Sequence, residues 1–205
     1  MYIGRILESK PIAMKDFDPM AVAKFARRHL ETIEEPRRRQ ILENFIEHAE
    51  AEAGGDYDAL MASCSEKEQH YAVYGGSRFG APQSYEELEK HYRGLIEANI
   101  YVIHFEAEKL VVGTDVVVIE GLVHQLYPGK LLEPIFGIEV DDPEAVYQAT
   151  KRTCVLFVFD EDGKGAGEHA YSEGDLTAAD LVKLAPEEVP EQFWNNPLTG
   201  PVARS

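Results

Sequence analysis

The chain has 205 residues, with 37 Asp and Glu against 20 Lys and Arg, a formal charge of −17. A surface this acidic repels phosphate backbones and anionic lipid, which argues against nucleic acid and membrane partners. No apolar run approaches a membrane span, and the opening MYIGRILESK has no apolar core of signal-peptide length. Two cysteines, Cys64 and Cys154, show no metal-binding spacing and point to a reducing cytoplasm.

Length and a hydrophobic content of 44% suit one domain with a sizeable core. After a weakly patterned lead-in, Asp18-Pro19 predicts a helix over 19–33, with Val22, Phe25, Leu30 and Ile33 on its apolar face. Pro36 opens a second, over 37–53, whose stripe is Ile41, Leu42, Phe45, Ile46 and Ala49. The run Arg37-Arg38-Arg39 reads as the solvated first turn of that helix. Gly54-Gly55 stops it, and Asp56 caps a short third helix through Met61. Residues 70–74 read as a strand closed by Gly75-Gly76. Ser84 with Glu87 forms a capping box for a helix over 84–98.

The stretch from Ile100 to Tyr127 is two apolar, β-branched runs around Gly113-Thr114-Asp115, a long β-hairpin with arms near 100–112 and 115–127. His104, Glu106, Glu120 and His124 stand at even positions, so each arm presents its pair on one face. Pairing Val112 with Val116 sets His104 opposite His124 and Glu106 opposite Leu122. Residues 128–147 form a long connection of the kind that makes a lid or packing flap, with a small helix started by Asp142-Pro143. A second hairpin, strands near 149–160 and 165–172, turns at Asp160-Glu161-Asp162-Gly163. A short helix near Thr177 to Leu184 and a Pro-rich tail, 185–205, follow. The whole is one α+β domain with an N-terminal helical extension, 1–36, and a curved antiparallel sheet.

Several stretches in order carry a resemblance: Gly55-Asp56-Tyr57-Asp58-Ala59-Leu60-Met61, Gly80, the helix from Ser84 to Tyr92, Gly113 to Gly121, Phe157-Val158-Phe159-Asp160-Glu161-Asp162-Gly163-Lys164, and Gly167 to Tyr171. Over residues 38–184 the chain resembles the cone-shaped nuclear transport factor 2-like superfamily, and within it the SnoaL-like polyketide cyclase group. The resemblance implies a curved sheet and N-terminal helices enclosing one deep apolar pocket, and a homodimer through the outer sheet face. Members include cyclases, ketosteroid isomerases, dehydratases, epoxide hydrolases and non-catalytic binding or scaffold subunits. The isomerase positions fall near Arg152 and Ala72, which do not fit that activity. The Tyr-x-Asp that often ends the closing strand of the SnoaL-like group is here Tyr171, Ser172, Glu173. A His on each hairpin arm, as His104 and His124, is similar to the scytalone dehydratases.

The expected chemistry is cofactor-free proton transfer at carbon, a cyclisation, dehydration or isomerisation of an apolar oxygenated small molecule. His104 and His124 are the candidate acid and base, with Glu168 and Glu120 as candidate catalytic carboxylates. Tyr57, Tyr71, Tyr74, Tyr92, Glu106, Leu122, Phe157 and Tyr171 are candidates to line the pocket. A metal site on His104, Glu106 and His124 is the competing reading; no ion and no cofactor is expected. An open cone with a His–carboxylate contact fits an enzyme, an open cone lined only by apolar groups fits a binding module, and a filled cone fits a scaffold subunit.

Overall fold

Single residues set three of the helix starts. The side chain of Glu35 accepts from the N–H groups of Arg37 and Arg38 ahead of α2 (Pro36–Gly54), Asp56 accepts from Ala59 ahead of α3 (Tyr57–Ser63), and Ser84 from Glu87 ahead of α4 (Tyr85–Glu97). Gly55, at φ 65°, ends α2 in the left-handed conformation. The first helix, α1 (Ala21–Leu30), is shorter than the sequence suggests. Asp18 spends its Oδ1 on the Met20 N–H, and Arg39 takes the carbonyls of Leu30 and Ile33, which closes the C-terminal end. The coordinates, a computed structural model, describe residues 10–74 and 80–204; the expected Gly75-Gly76 closure lies outside them.

The sheet runs β1-β5-β4-β3-β2, where β1 is Ala72–Tyr74, β2 Ile103–Val112, β3 Val116–Pro128, β4 Val146–Phe159 and β5 Gly165–Ser172. Only the short β1 runs parallel to its neighbour. His104 pairs with His124 and Glu106 with Leu122, although Val112 pairs with Val117 rather than Val116. A bulge between Ala107 and Lys109 makes up the missing residue. Gly121 lies opposite the bulge, where a Cβ would stand 2.1 Å from the Glu106 carbonyl oxygen.

Two expected helices are replaced. Asp142-Pro143 makes only a turn, and the connection instead holds α5 (Leu132–Phe136), ended by Gly137 at φ 72°. Over Thr177 to Leu184 a single 3₁₀ turn leads into β6 (Leu181–Leu184), which pairs with Val146 to Ala149 of β4. The register of β5 reaches no further along β4 than Thr153, so the first residues of β4 leave an edge that β6 fills. The tail adds α6 (Glu191–Trp194) and the two-residue strands β7 (Asn195–Asn196) and β8 (Gly200–Pro201).

Helices α1 and α2 cover the inner face, where Ile41, Leu42 and Phe45 meet Val117, Ile119 and Val155. On the outer face, Met14 and Phe17 from the N-terminal segment join Phe193 and Trp194 from the tail over Leu126. The chain thus covers part of its own outer face. Tyr74, Val111 and Tyr171 remain exposed. Among the described residues no helix is long and apolar enough to cross a membrane.

Arg37 and Arg39 are not the free solvated charges expected of a first turn. The Arg37 guanidinium donates to the carbonyls of Thr114 (2.8 Å) and Glu161 (3.2 Å), and to that of Asp160. It ties the start of α2 to the turns of both long hairpins. Arg37→Ala should lower unfolding stability by roughly 1–2 kcal/mol, the loss expected of partly exposed charge-assisted hydrogen bonds. A denaturant titration that matches the parent would show that these bonds contribute nothing.

Candidate active site

Strand alternation decides which side chains reach the interior. Ile103, Phe105, Val123, Val155, Phe157 and Glu168 point to the inner face, against Val22 of α1 and Phe45 and Ala49 of α2. Between them lies a cavity of about 150 Å³, whose polar lining comes largely from His48, Glu52 and Glu168. A second cavity of about 140 Å³, between α4 and the sheet, is lined by Tyr71, His91, Tyr92 and Gln125. Glu52 and Glu168 border both cavities and so mark their junction.

Three elements converge on Glu168, and a fourth reaches it through His48. Tyr92 of α4 donates its hydroxyl to Glu168 Oε1 at 3.0 Å. The Tyr71 hydroxyl, just before β1, lies 2.9 Å from that of Tyr92 and 3.5 Å from Glu168. His48 of α2 sets its Nε2 3.1 Å from the Tyr92 hydroxyl and 3.6 Å from Glu168 Oε1. Its Nδ1 lies 2.8 Å from Ser63 Oγ, at the end of α3. Ser63 has one hydroxyl hydrogen, which it gives to the Leu60 carbonyl, so Nδ1 must donate to Ser63.

Burial opposes charge on His48, but its contacts with Cys64 and Glu168 outweigh burial and raise its pKa well above 6.5. With Nδ1 committed as a donor and the Glu168 carboxylate beside Nε2, the state that fits is the imidazolium. Burial first, then the charge of Glu168, keeps the Tyr71 and Tyr92 phenols protonated. Glu52, one turn beyond His48, is pushed up to about 7, first by burial and then by the Glu168 charge. The junction thus offers a hydrogen-bonded carboxylate and a carboxyl that keeps its proton near neutrality.

Of the residues singled out in the sequence, the fold brings together Tyr71, Tyr92, Phe157 and Glu168. His104, His124, Glu106, Glu120 and Leu122 do not border the central cavity. The rings of His104 and His124 do meet, with centroids 5.5 Å apart, but on the face opposite Ile103, Phe105 and Val123. There the Asp18 N–H donates to His104, and His124 pairs with Thr150. Burial holds both imidazoles below 6.5, and for His124 the nearby His104 adds to it. Glu120 is bound by Lys109 (2.9 Å) and Arg152 (3.3 Å). Tyr74 and Tyr171 stack on each other at 4.6 Å on the outer face. Tyr57 lies under the Arg93 guanidinium. Among the described residues no group of three or more His, Cys, Asp or Glu is arranged to hold a metal ion.

Sequence reading missed His48, Glu52 and Ser63. The signal was there for two of them. Phe45, His48, Ala49 and Glu52 recur at helical spacing, so a base and an acid sit within the apolar stripe of α2.

No protein-family model and no curated protein matches the chain. Solved structures do. A SnoaL-like protein of the polyketide cyclase type from Shewanella putrefaciens CN-32 superposes at a TM-score of 0.54 and 14% identity, over 75% of this chain and 88% of that one. Another from Jannaschia sp. CCS1 gives 0.52 and 13%, over 69% and 90%. The fold is therefore the nuclear transport factor 2-like cone, in the form seen in SnoaL-like proteins. At such identities the likeness establishes the fold alone.

Glu52 also leaves a mark on stability. Its raised pKa favours the folded state fully below about 4.5, and that contribution is lost as pH rises through about 7. Between about pH 5 and pH 8 the stability of Glu52→Gln should therefore gain on the parent, by roughly 1–3 kcal/mol. A difference that stays constant across this range would place the Glu52 pKa in the usual carboxylate range.

Proposed function

We propose that the chain is a cofactor-free enzyme that moves protons at carbon in an apolar, oxygenated small molecule, by cyclisation, dehydration or isomerisation. The observation that carries this reading is the junction of the two cavities, where Glu52, pushed up to about 7 by burial and then by its neighbour's charge, sits beside Glu168, which is held by the Tyr92 hydroxyl. An open cavity with a His–carboxylate contact is the arrangement expected of a catalytic cone rather than a filled scaffold.

In this reading Glu168 is the base, taking a proton from the carbon beside a carbonyl. Glu52 is the acid, delivering its proton to the carbonyl or departing hydroxyl oxygen. His48 and Tyr92 are positioning residues: they fix Glu168 and balance its charge inside the cone. The apolar walls exclude water, which strengthens each of these electrostatic contacts. The chemistry expected of the His104–His124 pair passes to Glu168 and Glu52, because only the latter border the cavity.

A direct test is solvent deuterium exchange at the α-carbons of small cyclic ketones such as 2-tetralone, followed by NMR. The parent should accelerate exchange saturably, and Glu168→Gln should lose roughly 10²- to 10⁴-fold of it. The rate should fall as pH rises through about 7, where Glu52 gives up its proton, and Glu52→Gln should lose that limb. His124→Ala should leave the rate near the parent's. Exchange no faster than buffer across the ketones would remove the proposal.

The proposed assembly is a homodimer through the uncovered part of the outer face, around Tyr74, Val111 and Tyr171. Light scattering at micromolar concentration should give twice the chain mass of 23.0 kDa; the monomer mass would refute it.

A further inference from the structure

His104 is a buried base with no part in the proposed chemistry, yet it holds a long-range bond. The backbone N–H of Asp18 donates to its Nδ1 at 2.8 Å. That bond requires a lone pair on Nδ1, so the imidazole is neutral and carries its hydrogen on Nε2.

Asp18 stands between two differently employed segments. Before it, residues 12–17 lie over the outer sheet face. Gln148 donates to the Ile12 carbonyl at 3.2 Å, and Phe17 sets its ring 5.7 Å from that of His104. After it, Pro19 and Val22 form one wall of the central cavity. The Asp18 carboxylate accepts from Met20 N–H at 3.0 Å and pairs with Lys24 at 2.7 Å, which couples Asp18 to the start of α1.

We propose that His104 is a proton-operated latch on the central cavity: neutral, it holds Asp18 and with it the Pro19–Val22 wall; protonated, it lets that wall open. A hydrogen on Nδ1 would face the Asp18 N–H, turning an attraction into a clash of donors. The charged groups around the ring are few. Glu106 on its own strand and Asp18 ahead of α1 favour the imidazolium, Lys24 is occupied by Asp18, and His124 faces it from β3. Burial outweighs the two carboxylates and holds His104 below 6.5. The latch is therefore closed at neutral pH and opens as pH falls below the lowered His104 pKa. The device is independent of whether the cavity catalyses or only binds.

Amide hydrogen exchange tests it without a ligand. At about pH 7.5 the amides of 18–24 should be protected. At a pH below the His104 midpoint, read from the titration of its ring resonances, and after correction for intrinsic rates, they should lose at least about tenfold, the loss expected of one hydrogen bond. The amides of β3 and β4 should keep their protection. In His104→Asn the side-chain oxygen takes the place of Nδ1 without titrating, so protection should persist at both pH values. Equal protection of 18–24 at both pH values in the parent, or the same loss in His104→Asn, overturns the proposal. Should that variant fail to fold, a titration of the parent decides: the Asp18 amide resonance must move with the midpoint of the His104 ring, and an unmoved resonance overturns the latch.

Discussion

A carboxylate on the inner wall of an apolar cone must be paired, because an isolated buried charge costs several kcal/mol. Glu168 is that carboxylate, and much of the interior answers to it. Helix α2 brings His48 as the counter-charge, α3 brings Ser63 to hold the far side of the imidazole, α4 brings Tyr92, and the segment before β1 brings Tyr71. Each element packs through apolar side chains, and the polar contacts that meet at Glu168 Oε1, directly or through His48, link them. Burial first, and then the same charge, raises the Glu52 pKa. A single acidic residue on β5 thus organises both the polar core of the fold and the chemistry proposed for it.

The hairpins, the helix caps and the pairing of His104 with His124 are legible in the sequence because they depend on short-range rules: capping oxygens, turn glycines and strand period. Which face of a hairpin meets the cavity is not, since Val117 and Ile119 on one face are as apolar as Val118 and Leu122 on the other. Alternation says which residues travel together and leaves open what covers them. The face of the His pair was settled by distant segments, residues 12–17 and the tail around Trp194. Strand β6 was hidden for a related reason. Its sequence, Leu181-Val182-Lys183-Leu184, is too short to declare itself, and it becomes a strand because β4 is longer than β5.

The catalytic candidates divide along the same line. Glu168, Tyr71 and Tyr92 could be found from their strands and helix. His48 and Glu52 sit in a helix whose apolar stripe reads as ordinary core, and a polar residue inside such a stripe is the signal worth heeding. The two histidine environments also contrast. His48 lies beside a carboxylate and is driven to the charged state, while His104 and His124 are buried with weaker compensation and are held neutral.

The bulge at Ala107–Lys109 has a consequence for how copies of this chain can meet. Strand β2 is a terminal strand of the sheet, and a straight terminal strand offers its unpaired backbone groups to any neighbour of like shape. Here the bulge distorts that border in its middle, and Glu106, Glu108 and Lys109 crowd the same stretch with charge. Growth of the sheet from one molecule into the next is thereby discouraged. Long, β-rich hairpins can then exist in concentrated solution without stacking end to end into fibres.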